Sequence, residues 1–114
     1  MKEQTAIMAL SALASEARLS VFRLLVRRGP QGFTPSELAE HLDIPAPTLS
    51  FHLKELLRAE LIMSRRDGRN LFYSPDFERM SSLLAFLTEN CCTLADDAGG
   101  NVCQSIETSK RKRA

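Results

Sequence analysis

A mainly helical domain that closes on one small β-hairpin is the fold class the sequence predicts, on three observations. Apolar residues recur at helical spacing in four separate stretches before residue 61 and again after residue 75. The third and fourth stretches are joined only by Asp43-Ile44-Pro45, so two short helices must turn sharply into one another. Two short runs rich in β-formers, Leu61 to Arg66 and Arg69 to Ser74, flank Asp67-Gly68, a hairpin signal. A helix-turn-helix followed directly by a hairpin is a winged helix-turn-helix layout, here with about five helices and a two-stranded wing.

The chain has 114 residues, 44% of them hydrophobic, enough for one domain with a modest core and some apolar surface left for dimerisation. It contains no run of about 18 apolar residues for a membrane span. The start, MKEQTAIMAL, lacks the pattern of a signal peptide, and a cytoplasmic location is expected. Three cysteines, an odd number, argue for thiols that bind or react rather than a disulfide framework. The formal net charge of +1 conceals segregation. Residues 18 to 73 hold nine Lys/Arg against six acids (net +3), residues 74 to 109 one arginine against six acids (net −5), and Lys110 to Arg113 add +4. A basic middle suits a polyanion.

Gln4 to Ala14 places Ile7, Leu10, Leu13 and Ala14 at helical spacing. Ser15 is positioned to cap the next helix, which carries Val21, Phe22, Leu24, Leu25 and Val26 to a stop at Gly29-Pro30. Thr34-Pro35-Ser36-Glu37 reads as a capping box with proline at the first helical position, opening a short helix that ends near Leu42. The fourth helix spans Pro45 to Leu61. Leu49, Leu53, Leu56 and Leu57 fall within about 80° on its wheel, while Thr48, Phe51, Lys54, Glu55 and Arg58 lie opposite. A lone phenylalanine gains nothing from water, so this face is expected to meet a partner. Pro45 and Pro47 stand where a hydroxyl or acidic cap belongs, so neighbouring elements must position this helix. Ser74-Pro75 is read as the cap and first residue of a last helix carrying Phe77, Met80, Leu83, Leu84, Phe86 and Leu87, a face broad enough to pair with the first helix and its symmetry mate.

A generic helical bundle accounts for the helices alone; the hairpin with Arg65, Arg66 and Arg69 around its tip favours the winged form. In these terms the sequence resembles the ArsR/SmtB transcriptional repressors. The resemblance is carried by Ala14-Ser15-Glu16-Ala17-Arg18-Leu19, Pro35-Ser36-Glu37-Leu38-Ala39, Leu49-Ser50-Phe51-His52-Leu53-Lys54-Glu55-Leu56 and Arg65-Arg66-Asp67-Gly68-Arg69 through Tyr73, and covers about residues 5 to 92. It implies a homodimer through the first and last helices, with Ile7, Leu10, Leu13, Leu83, Leu84 and Leu87 at the interface and one helix per subunit in a major groove of double-stranded DNA. Residues 1–92 then form the DNA-binding and dimerisation domain, and 93–114 a flexible segment with Cys103 and the basic tail.

On that expectation Thr48, Ser50 and His52 offer hydrogen bonds to base edges or phosphates, and Phe51 lies against a thymine methyl. Lys54, Arg58, Arg66 and Arg69 suit phosphates, and Ser36 joins the set through the third helix. His52, on the flank of the wheel, is equally suited to half-buried packing. Two-fold symmetry predicts an inverted-repeat operator with half-sites roughly 10 bp apart or a multiple.

Cys91 and Cys92 end the last helix and Cys103 follows a segment containing Gly99-Gly100. Adjacent residues on a regular helix point about 100° apart, so the pair converges only if the helix frays. Three thiolates with no histidine beside them suit a soft three-coordinate centre better than zinc, and arsenite or antimonite is such a centre. The family's cysteine pair of the third helix is absent here, and no histidine follows His52. What remains looks like the arsenic(III)-responsive members, which implies a repressor released when arsenite or antimonite binds Cys91, Cys92 and Cys103, with no organic cofactor. If only the adjacent pair binds, a methylated trivalent arsenical is the better ligand. A thiol redox switch, incidental thiols, and an inducer-free winged-helix interaction module are the competing readings. An enzyme would need an anion-cradling loop and an activated thiolate, and the sequence offers neither.

Overall fold

The computed structural model describes residues 1–95, in the order α1 (Glu3–Leu13), α2 (Glu16–Arg28), α3 (Pro35–Leu42), α4 (Ala46–Arg58), β1 (Ile62–Asp67), β2 (Asn70–Pro75) and α5 (Phe77–Leu87). These are the expected five helices and antiparallel two-stranded wing. No single helix among the described residues is long and apolar enough to cross a membrane.

Local chemistry sets several boundaries. Ser15 accepts a hydrogen bond from the Arg18 amide at the start of α2, and Gly29 ends that helix at φ +90°. Thr34 and Glu37 close the capping box of α3 reciprocally, and Asp43 ends it in the left-handed region. In α4 the N-cap is Pro45 and makes no side-chain bond. That helix is held instead by Leu49, Leu53 and Leu56, which are buried with Val21, Leu25, Leu38 and Leu61 in the core between the helices and the wing.

Three expectations need correction. The hairpin turn is Gly68-Arg69 rather than Asp67-Gly68, because Asp67 pairs with Asn70; Gly68, at φ +66°, takes the first central position, where a tight hairpin turn needs positive φ. The last helix does not start at Ser74-Pro75. Those residues pair with Met63 and Ile62 in the wing, Pro75 is fully buried, and Asp76 caps α5 through the Arg79 amide. Finally, Leu83 is buried within its own subunit at 6% exposure, so it is a core residue and not a free interface residue.

One pairing has no strong sequence signal. Phe33 exchanges both backbone hydrogen bonds with Tyr73 at 2.9 and 2.8 Å, docking the α2–α3 loop onto β2. Gly32 permits this approach: at φ +77°, a Cβ there would stand 2.5 Å from the Tyr73 carbonyl oxygen.

Candidate nucleic-acid interface and cysteine turn

With its leucine stripe facing the core, α4 turns Thr48, Ser50, Phe51, Lys54 and Arg58 outward. Phe51 is 55% exposed, the aromatic on an open helix face that the wheel anticipated. Arg58 is exposed and pairs with Glu55 at 3.3 Å. Ser36 is exposed in the first turn of α3. The Glu37 carboxyl beside it is held below the ordinary carboxylate range, chiefly by the Thr34 backbone N–H, with further help from the Thr34 hydroxyl, Arg28 and His41.

The wing's arginines divide into two groups. Arg66 and Arg69 are exposed, Arg69 within the two-residue turn. Arg65 instead reaches back to the carbonyls of Pro30 and Gln31 at 3.4 and 3.3 Å and lies 5.0 Å from the centre of the Phe72 ring, its cross-strand neighbour. It staples the wing to the α2–α3 loop.

His52 is half-buried. Its Nδ1 lies 3.3 Å from an Arg18 guanidinium nitrogen, and its ring meets Phe51 edge-on with centroids 5.7 Å apart. Sequence reasoning missed Arg18, counting it only toward the basic middle; its place in the motif leading α2 was the one available signal.

After α5 the chain runs through successive tight turns, with the amides of Cys91, Thr93 and Ala95 donating to the carbonyls of Thr88, Asn90 and Cys92. Asn90 and Cys92 adopt positive φ (58° and 65°). This break from helical geometry brings the Cys91 and Cys92 Sγ atoms to 3.4 Å. The adjacent pair therefore converges through fraying of the helix end. Cys103 and the basic tail lie outside the described residues, and among those described no group of three or more His, Cys, Asp or Glu side chains is placed to hold a metal ion.

The fold and its outward helix can now be set beside known proteins. A family model described as a helix-turn-helix domain matches residues 13–65. The chain is 34% identical over 92 residues to a probable mercury resistance operon repressor of Streptomyces lividans, covering 81% of this chain and 69% of that one. It is 33% identical over 92 residues to the arsenical resistance operon repressor of Bacillus subtilis, covering 81% and 84% respectively. The chain belongs to the ArsR/SmtB family of winged-helix regulators. The HTH-type transcriptional regulator KmtR of Mycobacterium tuberculosis is 38% identical over 72 residues, 63% of this chain; the match spans only about half of KmtR, 53% of its length. An ArsR-like transcriptional regulator from a Rhodococcus species superposes with a TM-score of 0.68 at 19% identity, covering 95% of this chain and 92% of that one. A homodimeric winged helix-turn-helix domain from Mycobacterium bovis gives 0.58 at 24% identity, covering 77% and 82%. The ArsR/SmtB assignment thus rests on sequence over most of the chain and on the fold.

Proposed function

We propose that this ArsR/SmtB protein is a thiol-ligand-responsive repressor that binds an inverted-repeat operator as a homodimer and leaves it when arsenite or antimonite is bound by Cys91, Cys92 and Cys103. The observation that carries the inducer reading is the convergence of the Cys91 and Cys92 sulfurs at 3.4 Å on a turn that departs from helical geometry. Two close soft donors favour a soft ion over a hard one. The names of relatives, one an arsenical and one a mercury resistance operon repressor, support a thiophilic inducer.

The outward face of α4 supports the DNA reading, with Phe51 for a thymine methyl and Thr48, Ser50 and His52 for polar base edges or phosphates. Lys54, Arg58, Arg66 and Arg69 serve as phosphate contacts, with Ser36 as a further DNA contact. The dimer reading draws on apolar side chains that the subunit leaves in water. Ile7 (56%), Leu10 (42%), Leu84 (56%) and Leu87 (54%) are exposed on α1 and α5, which pack against each other, with Leu13 half-buried beside them. Ligand binding at the end of α5 acts on this interface and so on the spacing of the two recognition helices. A coupling of about 1–3 kcal/mol is the usual size for two linked sites.

The test is a paired titration of DNA binding. Cys91→Ser with Cys92→Ser retains operator binding and no longer responds to arsenite, whereas the parent protein is released. Release of the double variant by arsenite overturns the site. Counting thiols consumed per subunit separates a three-sulfur site from the two-sulfur site suited to a methylated arsenical.

A further inference from the structure

Arg18 stands in the first turn of α2, and its guanidinium spans two elements distant in sequence. Its Nε–H donates to the Ala12 carbonyl at 2.7 Å, one of the last carbonyls of α1 and without an acceptor role inside that helix. A second nitrogen of the same group lies 3.3 Å from Nδ1 of His52 on α4. A guanidinium has only donors and stays charged, so Nδ1 must be the acceptor; the single ring proton of the neutral imidazole then sits on Nε2. Nearby, Glu55 and Arg58 of α4 pair with each other at 3.3 Å. The cleft that Arg18 shares with them is lined on the α1 side by the uncharged Ile7, Met8, Ser11 and Ala12.

We propose that Arg18 is a positioning residue of the nucleic-acid face, fixing His52 as a donor through Nε2 and fastening the recognition helix to the end of α1. The consequence for DNA rests on the function proposed above; the bond itself does not. An Nε2–H donor matches acceptor-bearing groups such as guanine O6 and N7, adenine N7 or a phosphate oxygen, and mismatches the amino groups of cytosine and adenine. Because α1 also carries exposed Ile7 and Leu10, a displacement of α1 reaches α4 through this side chain as well as through the direct packing of the two helices.

The experiment has one arm without DNA and one with it. In the first, a double-mutant cycle on unfolding stability combines Arg18→Met with His52→Asn or His52→Gln. Asparagine restores an acceptor near the Nδ1 position, whereas glutamine carries its amide out to the Nε2 position and leaves no acceptor at Nδ1. The expected result is that His52→Asn tracks the parent, and that His52→Gln and Arg18→Met each lose stability without adding to one another. Nitrogen NMR of the His52 ring shows only the Nε2–H form in the parent and gains the Nδ1–H form in Arg18→Met. Additive losses, equal losses for Asn and Gln, or an Nδ1–H ring in the parent overturn the proposal. Should Arg18→Met not fold, Arg18→Lys, which keeps the charge without the two-armed donor geometry, replaces it. In the second arm the probe is a DNA fragment enriched from a random-sequence pool by the parent protein. Arg18→Met is expected to bind it about tenfold more weakly, and unchanged binding removes the positioning role. If no fragment is enriched, the DNA reading fails while the first arm still decides the bond.

Discussion

The two helices of the helix-turn-helix are built on opposite plans. In α3, eight residues carry their own start and stop signals: the Thr34–Glu37 box, Pro35 in the first turn and Asp43 in the left-handed region. In α4, thirteen residues begin at a proline with no side-chain cap and no acid in the first turn, and depend on three buried leucines. The difference teaches that α3 is fixed by its own sequence, while α4, the helix with the outward face, takes its orientation from what it packs on. A helix held by its neighbours moves when they move.

The sharpest way to break this contrast is to remove a leucine that anchors α4. Leu56→Ala at a fully buried position is expected to cost about 2–5 kcal/mol in chemical denaturation, because the transfer loss and the residual cavity add. A loss below about 1 kcal/mol would mean that α4 is held by something other than its stripe. Exchanging the capping arrangements comes next. Thr34→Ala removes the box of α3 and is expected to cost about 1 kcal/mol, whereas Pro45→Ser gives α4 the cap it lacks and stabilises it by a similar or smaller amount. Amide exchange in the first turn of each helix locates the effect, and faster exchange in α4 of Pro45→Ser would contradict the contrast.

The smallest expected effect is acid sensitivity confined to α3. Because the folded carboxyl of Glu37 is held below its ordinary range, its contribution to stability is complete above that range. The contribution disappears as pH falls through the lowered folded value. The stability curves of the parent and Glu37→Gln should therefore converge on acidification; parallel curves would show that the capping carboxylate contributes nothing.

The same contrast explains what was legible in the sequence. Signals acting within one turn, such as Ser15 and the Thr34–Glu37 box, were read correctly because the groups that satisfy each other are three residues apart. The leucine stripe of α4 and its exposed Phe51 followed from periodicity. Ser74-Pro75 misled because it has the composition of a helix start, and only pairing with Ile62 and Met63 puts it in the wing and leaves the cap to Asp76. Leu83 could not be separated from Leu84 and Leu87 by spacing alone, since the broad face of α5 serves the core with one edge and is left exposed on the other. The Arg18–His52 link and the Phe33–Tyr73 bridge join residues 34 and 40 positions apart, and neither has a local pattern.

The inward commitment of Arg65 also bears on how binding would respond to salt. Each cation placed on a DNA phosphate releases condensed counterions and contributes roughly −0.9 to the slope of log affinity against log salt. With Arg65 held by the Pro30 and Gln31 carbonyls and the Phe72 ring, the wing offers Arg66 and Arg69 alone. On the proposed phosphate contacts, its share of that slope would be about −1.8 per subunit rather than about −2.7. The third arginine of the wing thus braces the hairpin against the α2–α3 loop while keeping its charge.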